Sequence, residues 1–235
     1  GASVLSYAIH KPESLKMILD LYPEEDRLKA VMQENEHYRC VLYSTIRYYP
    51  ESFKTILELL PERARLEVID QTANESIPVL FAAADNPKLL KAILELLPER
   101  ARLEAVMQKD RKGNSVLHQS IGNPKSLKAI LELLPESARL EAVRQINIYG
   151  ESVLDAAAKR PESLRTILEL LPERALPEAV KQTDRESKSV LHTAANQPES
   201  LKMILDLYPE SDRLKAVMQP NKYSVSILNT VAMQP

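Results

Sequence analysis

Aliphatic pairs recur along this chain at Val4 and Leu5, Val41 and Leu42, Val79 and Leu80, Val116 and Leu117, Val153 and Leu154, Val190 and Leu191, and Ile227 and Leu228. The step is 37 residues, with a single step of 38. Three segments follow each pair. The first, as in SVLHTAANQ, is an Ala-rich apolar stretch of about eight residues that reads as two turns of helix. The second, as in PESLKMILDLY, places Leu201, Ile204, Leu205 and Tyr208 on the single apolar face of an amphipathic helix. The third, as in RLEAVMQ, is a shorter helix; in its last copy Leu214 and Val217 share a face. Polar connections such as KDRKGNS return the chain to the next pair.

Prolines punctuate these segments. Pro12, Pro50, Pro87, Pro124, Pro161, Pro198 and Pro235 open the second segment, where a ring at the first helical position loses no hydrogen bond. Pro23, Pro61, Pro98, Pro135, Pro172 and Pro209, each followed by Glu, stop that helix and start the third. Every helix carries one apolar stripe, and a unit this small cannot cover it alone, so the units must stack. The predicted fold class is all-α, an elongated α-solenoid of about six stacked repeats forming one domain over residues 1–235. Helices packing 8–10 Å apart would give a length on the order of 50–60 Å. End repeats should be polar outside, yet NTVAMQP reads like an interior unit. We therefore expect a piece of a longer protein, with Gly1 and Ala2 left by cloning.

At Ser189 to Ala195 the sequence SVLHTAA resembles the ankyrin-repeat signature TPLHxAA, with Ser for Thr and Val for Pro. DRKGNSVLH, from Asp110 to His118, is similar to the ankyrin fingertip with its Gly-bearing turn. NIYGESVLD, from Asn147 to Asp155, is a further copy with Asp155 where His is usual. The spacing extends over all six units and the motif is clear in about three. Three departures stand out: a 37-residue period where ankyrin repeats have 33, PE after the second helix where the family has Gly, and four fingertips without Gly. The resemblance implies stacked ankyrin-like helix pairs with an extra turn per unit, and a β-hairpin finger that does not survive everywhere. It also implies a non-catalytic role, binding macromolecules through fingertips and first helices. The pattern PESLKxILELLPExxRLEAVxQ further resembles, in style, arrays in secreted effectors of intracellular bacteria such as Legionella. That likeness implies secretion into a host cytoplasm and a host protein as partner.

Composition narrows the classes further. Apolar residues make up 44% of the chain, enough for a sizeable core. The 31 Lys and Arg nearly balance the 33 Asp and Glu, leaving a charge of −2. No net basic field therefore draws the chain to nucleic acid or anionic lipid. No apolar run is long enough to insert in a membrane, and no signal-peptide pattern opens the chain. Cys40 cannot form an internal disulfide, which suits a cytoplasmic setting. We expect a monomer.

Candidate chemistry is sparse. Carboxylates abound, but Glu24, Glu62, Glu99, Glu136, Glu173 and Glu210 recur because helix starts favour them, whereas an active site is needed once. His118 and His192 hold one phase two units apart, roughly 20 Å at about 10 Å per unit, too far to share a metal. In the family that His ties down the adjoining turn. His10 and His37 have only Cys40 for company and lack zinc-site spacing. Four scattered glycines make no phosphate loop. Cys40 takes the Ser position before the aliphatic pair and reads as a small packing residue rather than a reactive thiol. The chain itself is read as no enzyme, with no cofactor and no metal.

One segment stands out against this regularity. His37 to Phe53 holds four of nine tyrosines and one of two phenylalanines in a chain without Trp. Other units place Gly or Ser, His or Asp, and short polar residues where this unit has Tyr38, Tyr43, and Arg47, Tyr48 and Tyr49. The array's single inserted residue lies here as well. Two readings stand. Either the rings cover apolar surface, as the core-like phase of Tyr43 and Phe53 suggests, or Tyr38, Arg39, Arg47, Tyr48 and Tyr49 project toward a partner as Tyr and Arg anchors. Arg111, Lys112, Tyr149, Arg185 and Tyr223 are fingertip residues that would extend such a surface. The favoured function is protein binding. The alternatives are a substrate-recruiting arm of a larger enzyme and a spacer between other domains.

Overall fold

A computed structural model of the chain describes residues 4–33, 40–70, 72–73, 77–181, 183 and 188–232. Six repeats follow one another. The first contains α1 (Val4–Ala8), α2 (Pro12–Leu19) and α3 (Glu24–Met32). The second contains α4 (Val41–Tyr48), α5 (Pro50–Leu59) and α6 (Glu62–Asp70). A short hairpin of β1 (Thr72–Ala73) and β2 (Ile77–Pro78) leads into α7 (Val79–Ala82), α8 (Pro87–Glu95) and α9 (Glu99–Met107). The fourth repeat is α10 (Val116–Gln119), α11 (Pro124–Leu133) and α12 (Glu136–Val143). The fifth is α13 (Val153–Ala158), α14 (Pro161–Leu170) and α15 (Leu176–Lys181). The sixth is α16 (Val190–Ala194), α17 (Pro198–Asp206) and α18 (Glu210–Met218), after which α19 (Ile227–Ala232) begins another unit.

Proline stands at the start of every second helix, as its fixed φ and missing N–H predict. Asn86 and Asn123 add side-chain caps there, accepting from the N–H of Leu89 at 3.1 Å and of Ser126 at 3.3 Å. The third segment differs from its expected extent. It begins at the Glu directly after proline and runs eight or nine residues in five of the six repeats, so the third helix read from the segments is present but longer than RLEAVMQ, and the repeat is not the helix pair with one added turn that the resemblance implied. The reason lies in the PExxR spacing. Arg27, Arg65, Arg102, Arg139 and Arg213 each donate Nε to the carbonyl five residues back, at 2.8–3.4 Å. These guanidiniums satisfy carbonyls at the end of the second helix, the role a Gly-based C-cap would otherwise fill. The fifth repeat has Leu176 in place of that Arg, and there a 3-10 turn at Glu173–Ala175 precedes the shortened α15.

The chain divides into two compact units, Gly1–Arg111 and Lys112–Pro235. In the first, α5 packs between α2 and α8, α4 contacts α7, and α6 contacts α9. In the second, α14 packs between α11 and α17, while α10, α13, α16 and α19 follow one another. Matching segments are thus neighbours in chain order, which is what a solenoid requires. Leu5, Leu42, Leu80, Leu117, Leu154 and Leu191 of the aliphatic pairs are buried, as are Leu15, Phe53, Leu90, Leu127 and Leu164 in one phase of the second helices. Each such side chain contributes about 1.5–3 kcal/mol of burial. In the second unit the hydroxyl of buried Ser163 donates to the carbonyl of Ile121 in the preceding repeat at 2.7 Å.

Candidate interaction surface

Within the first unit, the inserted residue lengthens the first helix of the second repeat. α4 has eight residues where the other complete first helices have four to six. The added turn carries Tyr48, 62% exposed, and delivers Tyr49 at the junction with α5. Tyr49 is held by its backbone, its N–H donating to Thr45 at 2.8 Å and its carbonyl accepting from Phe53 at 3.0 Å. Its ring is inclined 56° to that of exposed His10, with centroids 6.5 Å apart. A charged groove of about 550 Å³ opens beside this pair, lined by His10, Lys11, Glu13, Glu51, Lys54 and Glu58 among others. Phe53 is fully buried and belongs to the core, as its phase predicts. Tyr38 and Arg39 lie outside the described residues, as do the side chains of Tyr43 and Arg47.

The second unit shows how a fingertip is built. Asn147 is buried, and its Oδ1 accepts the N–H of Tyr149 at 2.9 Å and of Glu151 at 3.1 Å. Its N–H donates to Glu151 at 3.0 Å, and the N–H of Gly150 returns to Asn147 at 3.0 Å. Asn221 repeats the arrangement with Tyr223 at 2.9 Å, Val225 at 3.1 Å and Ser224 at 3.0 Å. Both turns need a residue with positive φ, supplied by Gly150 at 78° and by Ser224 at 61°. One finger also leans on the next. Ile148 donates its N–H to Lys112 at 2.9 Å, and Asn147 Nδ2 donates to Asn114 at 3.1 Å. Gly113 allows this approach, since a Cβ there would lie 3.0 Å from the Ile148 nitrogen.

These turns present Tyr149, 73% exposed, and Tyr223, 59% exposed, in one phase two repeats apart. Lys222 places its ammonium 4.9 Å from the Tyr223 ring centre, a cation–π contact. Arg111 and Lys112 are exposed, and Arg185 lies outside the described residues. Exposed residues not singled out from sequence include Tyr7 at 71% and Ile148 at 63%. Tyr7 carried the signal that exposes Tyr48, because other repeats have Ser44, Ala82, Gln119, Ala156 or Thr193 in its place. Within single fingers, antiparallel bridges join Ile146 to Ser152 and Thr183 to Ser189, so the hairpin survives in reduced form.

The His position is structural where it is described in detail. Ser115 donates its N–H to His118 Nδ1 at 3.0 Å, and Ser189 does the same to His192 at 3.1 Å. Asp155 performs the role in the fifth repeat, accepting from the N–H of Ser152 at 3.0 Å and from its hydroxyl at 2.7 Å. Cys40 is buried, in no disulfide, and stands at the matching cap position. The hydroxyl of Tyr208 has its pKa raised by burial. No group of three or more His, Cys, Asp or Glu that could hold a metal occurs among the described residues. No helix among them is long and apolar enough to cross a membrane.

No family model matches the chain, and no curated protein sequence matches it. Among solved structures, the ankyrin repeat domain of Bcl-3, described as a unique member of the IkappaB protein family, superimposes with a TM-score of 0.62. The match covers 97% of this chain and 93% of that domain at 15% sequence identity. The fold is the ankyrin-repeat fold. In ankyrin-repeat terms the segments beginning at the aliphatic pairs are the first helices and the proline-led segments the second.

Proposed function

We propose that this chain is a non-catalytic protein-binding module whose contacts come from its fingers and first helices. The observation that carries the reading is the exposure of Tyr48 on a turn that one inserted residue adds to an otherwise regular repeat. An exposed ring on a rigid helix offers large contact area at little entropic cost. Tyr49, Tyr38, Arg39, Tyr43 and Arg47 complete the anchor cluster. Arg111 in the first unit, and Lys112, Tyr149, Arg185 and Tyr223 on the fingers of the second, are the further contacts of this reading. The likeness in style to bacterial effector arrays supports a host-cell protein as the partner. An affinity capture from candidate cell lysate tests the reading: the double variant Tyr48→Ala, Tyr49→Ala should lose its partner, with each true anchor worth about 2 kcal/mol. A folded double variant that keeps every partner overturns the assignment of the cluster.

A further inference from the structure

Ion pairs join successive repeats of the second unit at positions 34 residues apart. Arg165 of α14 pairs with Glu199 of α17, and Arg144, directly after α12, pairs with Glu178 of α15 at 2.7 Å. One repeat further on, the places of Arg144 and Glu178 are taken by Lys181 and Lys215. Glutamate holds the Lys215 place in the second to fifth repeats, as Glu67, Glu104, Glu141 and Glu178. The step from the fifth repeat to the sixth therefore has two cations where the step before it has a cation and a carboxylate.

Both lysines line one cavity of about 290 Å³ between α15 and α18, with Thr183, Tyr208, Asp212 and Gln219 among the other lining residues. The half-buried Tyr208 fixes part of its wall. It donates its hydroxyl to the carbonyl of Val180 at 3.3 Å, and its ring centre lies 6.0 Å from the Lys181 ammonium. Neither Lys181 nor Lys215 has an ion-pair partner among the described residues, and neither does Asp212. Two ammonium groups against the carboxylate of Asp212 leave a single positive charge in excess.

We propose that this cavity binds the carboxylate of an aspartate or glutamate side chain on the protein partner, held between Lys181 and Lys215. The preceding step shows the fit, because there Glu178 supplies a carboxylate from its own helix to the cation of Arg144. In the sixth repeat that carboxylate is missing, so the ammonium groups are neutralised from outside, and one carboxylate matches the excess charge. A phosphate dianion matches it less well, since Asp212 shares the lining. The exposed Thr183 and Gln219 side chains add neutral hydrogen-bond donors. This contact rests on the protein-binding reading above but not on Tyr48 and Tyr49, which belong to the first unit.

The probe is the capped peptide acetyl-Ala-Glu-Ala-amide, titrated into the chain at millimolar concentrations while backbone amide NMR shifts are followed. Its Gln counterpart and inorganic phosphate are run beside it. The Glu peptide should move the amides of Lys181, Lys215 and Ala216 saturably, about tenfold more tightly than the Gln peptide, and less tightly as salt is raised. Lys215→Glu supplies the carboxylate from within, as Glu178 does, so it should abolish the response without lowering the urea midpoint. Lys202→Glu makes the same charge change on α17, outside the cavity, and should leave the affinity within about twofold. Equal responses to the Glu and Gln peptides, a response that survives Lys215→Glu, or one lost equally in Lys202→Glu overturns the proposal. So does tighter binding of phosphate than of the Glu peptide. A titration without response overturns this contact whether or not the chain captures a partner from lysate, so the two readings fail separately.

Discussion

His118 Nε2 lies 3.2 Å from the carbonyl oxygen of Glu151, a residue of the following finger 33 positions on. The Ser115 N–H points at Nδ1, so that atom is the acceptor and the proton sits on Nε2, which donates to Glu151. One ring thus caps its own helix and ties two repeats together. Asp155, in the same phase, keeps the cap by accepting from Ser152. We expect His118→Ala to destabilise the chain by about 1–2 kcal/mol and His118→Asp by about half as much, because the carboxylate restores the cap but cannot donate to Glu151. Urea unfolding measures both, and equal losses would remove the cap from the account.

The finger turns should respond to residues that tolerate positive φ. Ser224 sits at φ 61°, so Ser224→Gly should stabilise by about 0.5–1 kcal/mol once the greater freedom of unfolded glycine is subtracted. Gly150→Ala should cost about 1 kcal/mol through φ alone, since a Cβ there meets nothing within 4 Å. Gly113→Ala should cost more, about 2–3 kcal/mol, because its Cβ would press on backbone atoms of Asn147 and Ile148 at 3.0–3.3 Å. Thermal unfolding midpoints in the order Ser224→Gly, wild type, Gly150→Ala, Gly113→Ala are the expected result.

Much of this fold was legible because it is periodic. A proline that recurs every 37 residues with an apolar face behind it leaves one place for each second helix to start and one side for it to bury. The third helix was read short because Glu62 to Arg65 has little apolar content; what holds that turn is the Arg65 guanidinium folding back on Leu60, a contact between polar groups that hydrophobic periodicity does not register. Two-residue strands such as Thr72–Ala73 are too brief to show alternation. Tyr48 could be found by comparing repeats with one another, and Tyr7 answers to the same comparison made one repeat earlier.

The aromatic cluster separates into members that hold the fold and members that do not. Phe53 fills the place of Leu15, Leu90, Leu127 and Leu164 and is fully buried, so Phe53→Ala should cost about 3–5 kcal/mol. Tyr48 is largely in solvent, and Tyr48→Ala should stay within about 0.5 kcal/mol of wild type. Phe53→Leu is the informative intermediate: the other repeats carry Leu in this phase, so a modest loss of about 1.5 kcal/mol or less indicates that the second repeat can adopt the common packing. A loss as large as that of Phe53→Ala would mean that the inserted residue in α4 has reshaped the site around the ring. Urea unfolding of the three variants decides the matter. The same experiment qualifies the binding assay, because only a surface tyrosine whose removal leaves stability intact can be credited with a lost partner.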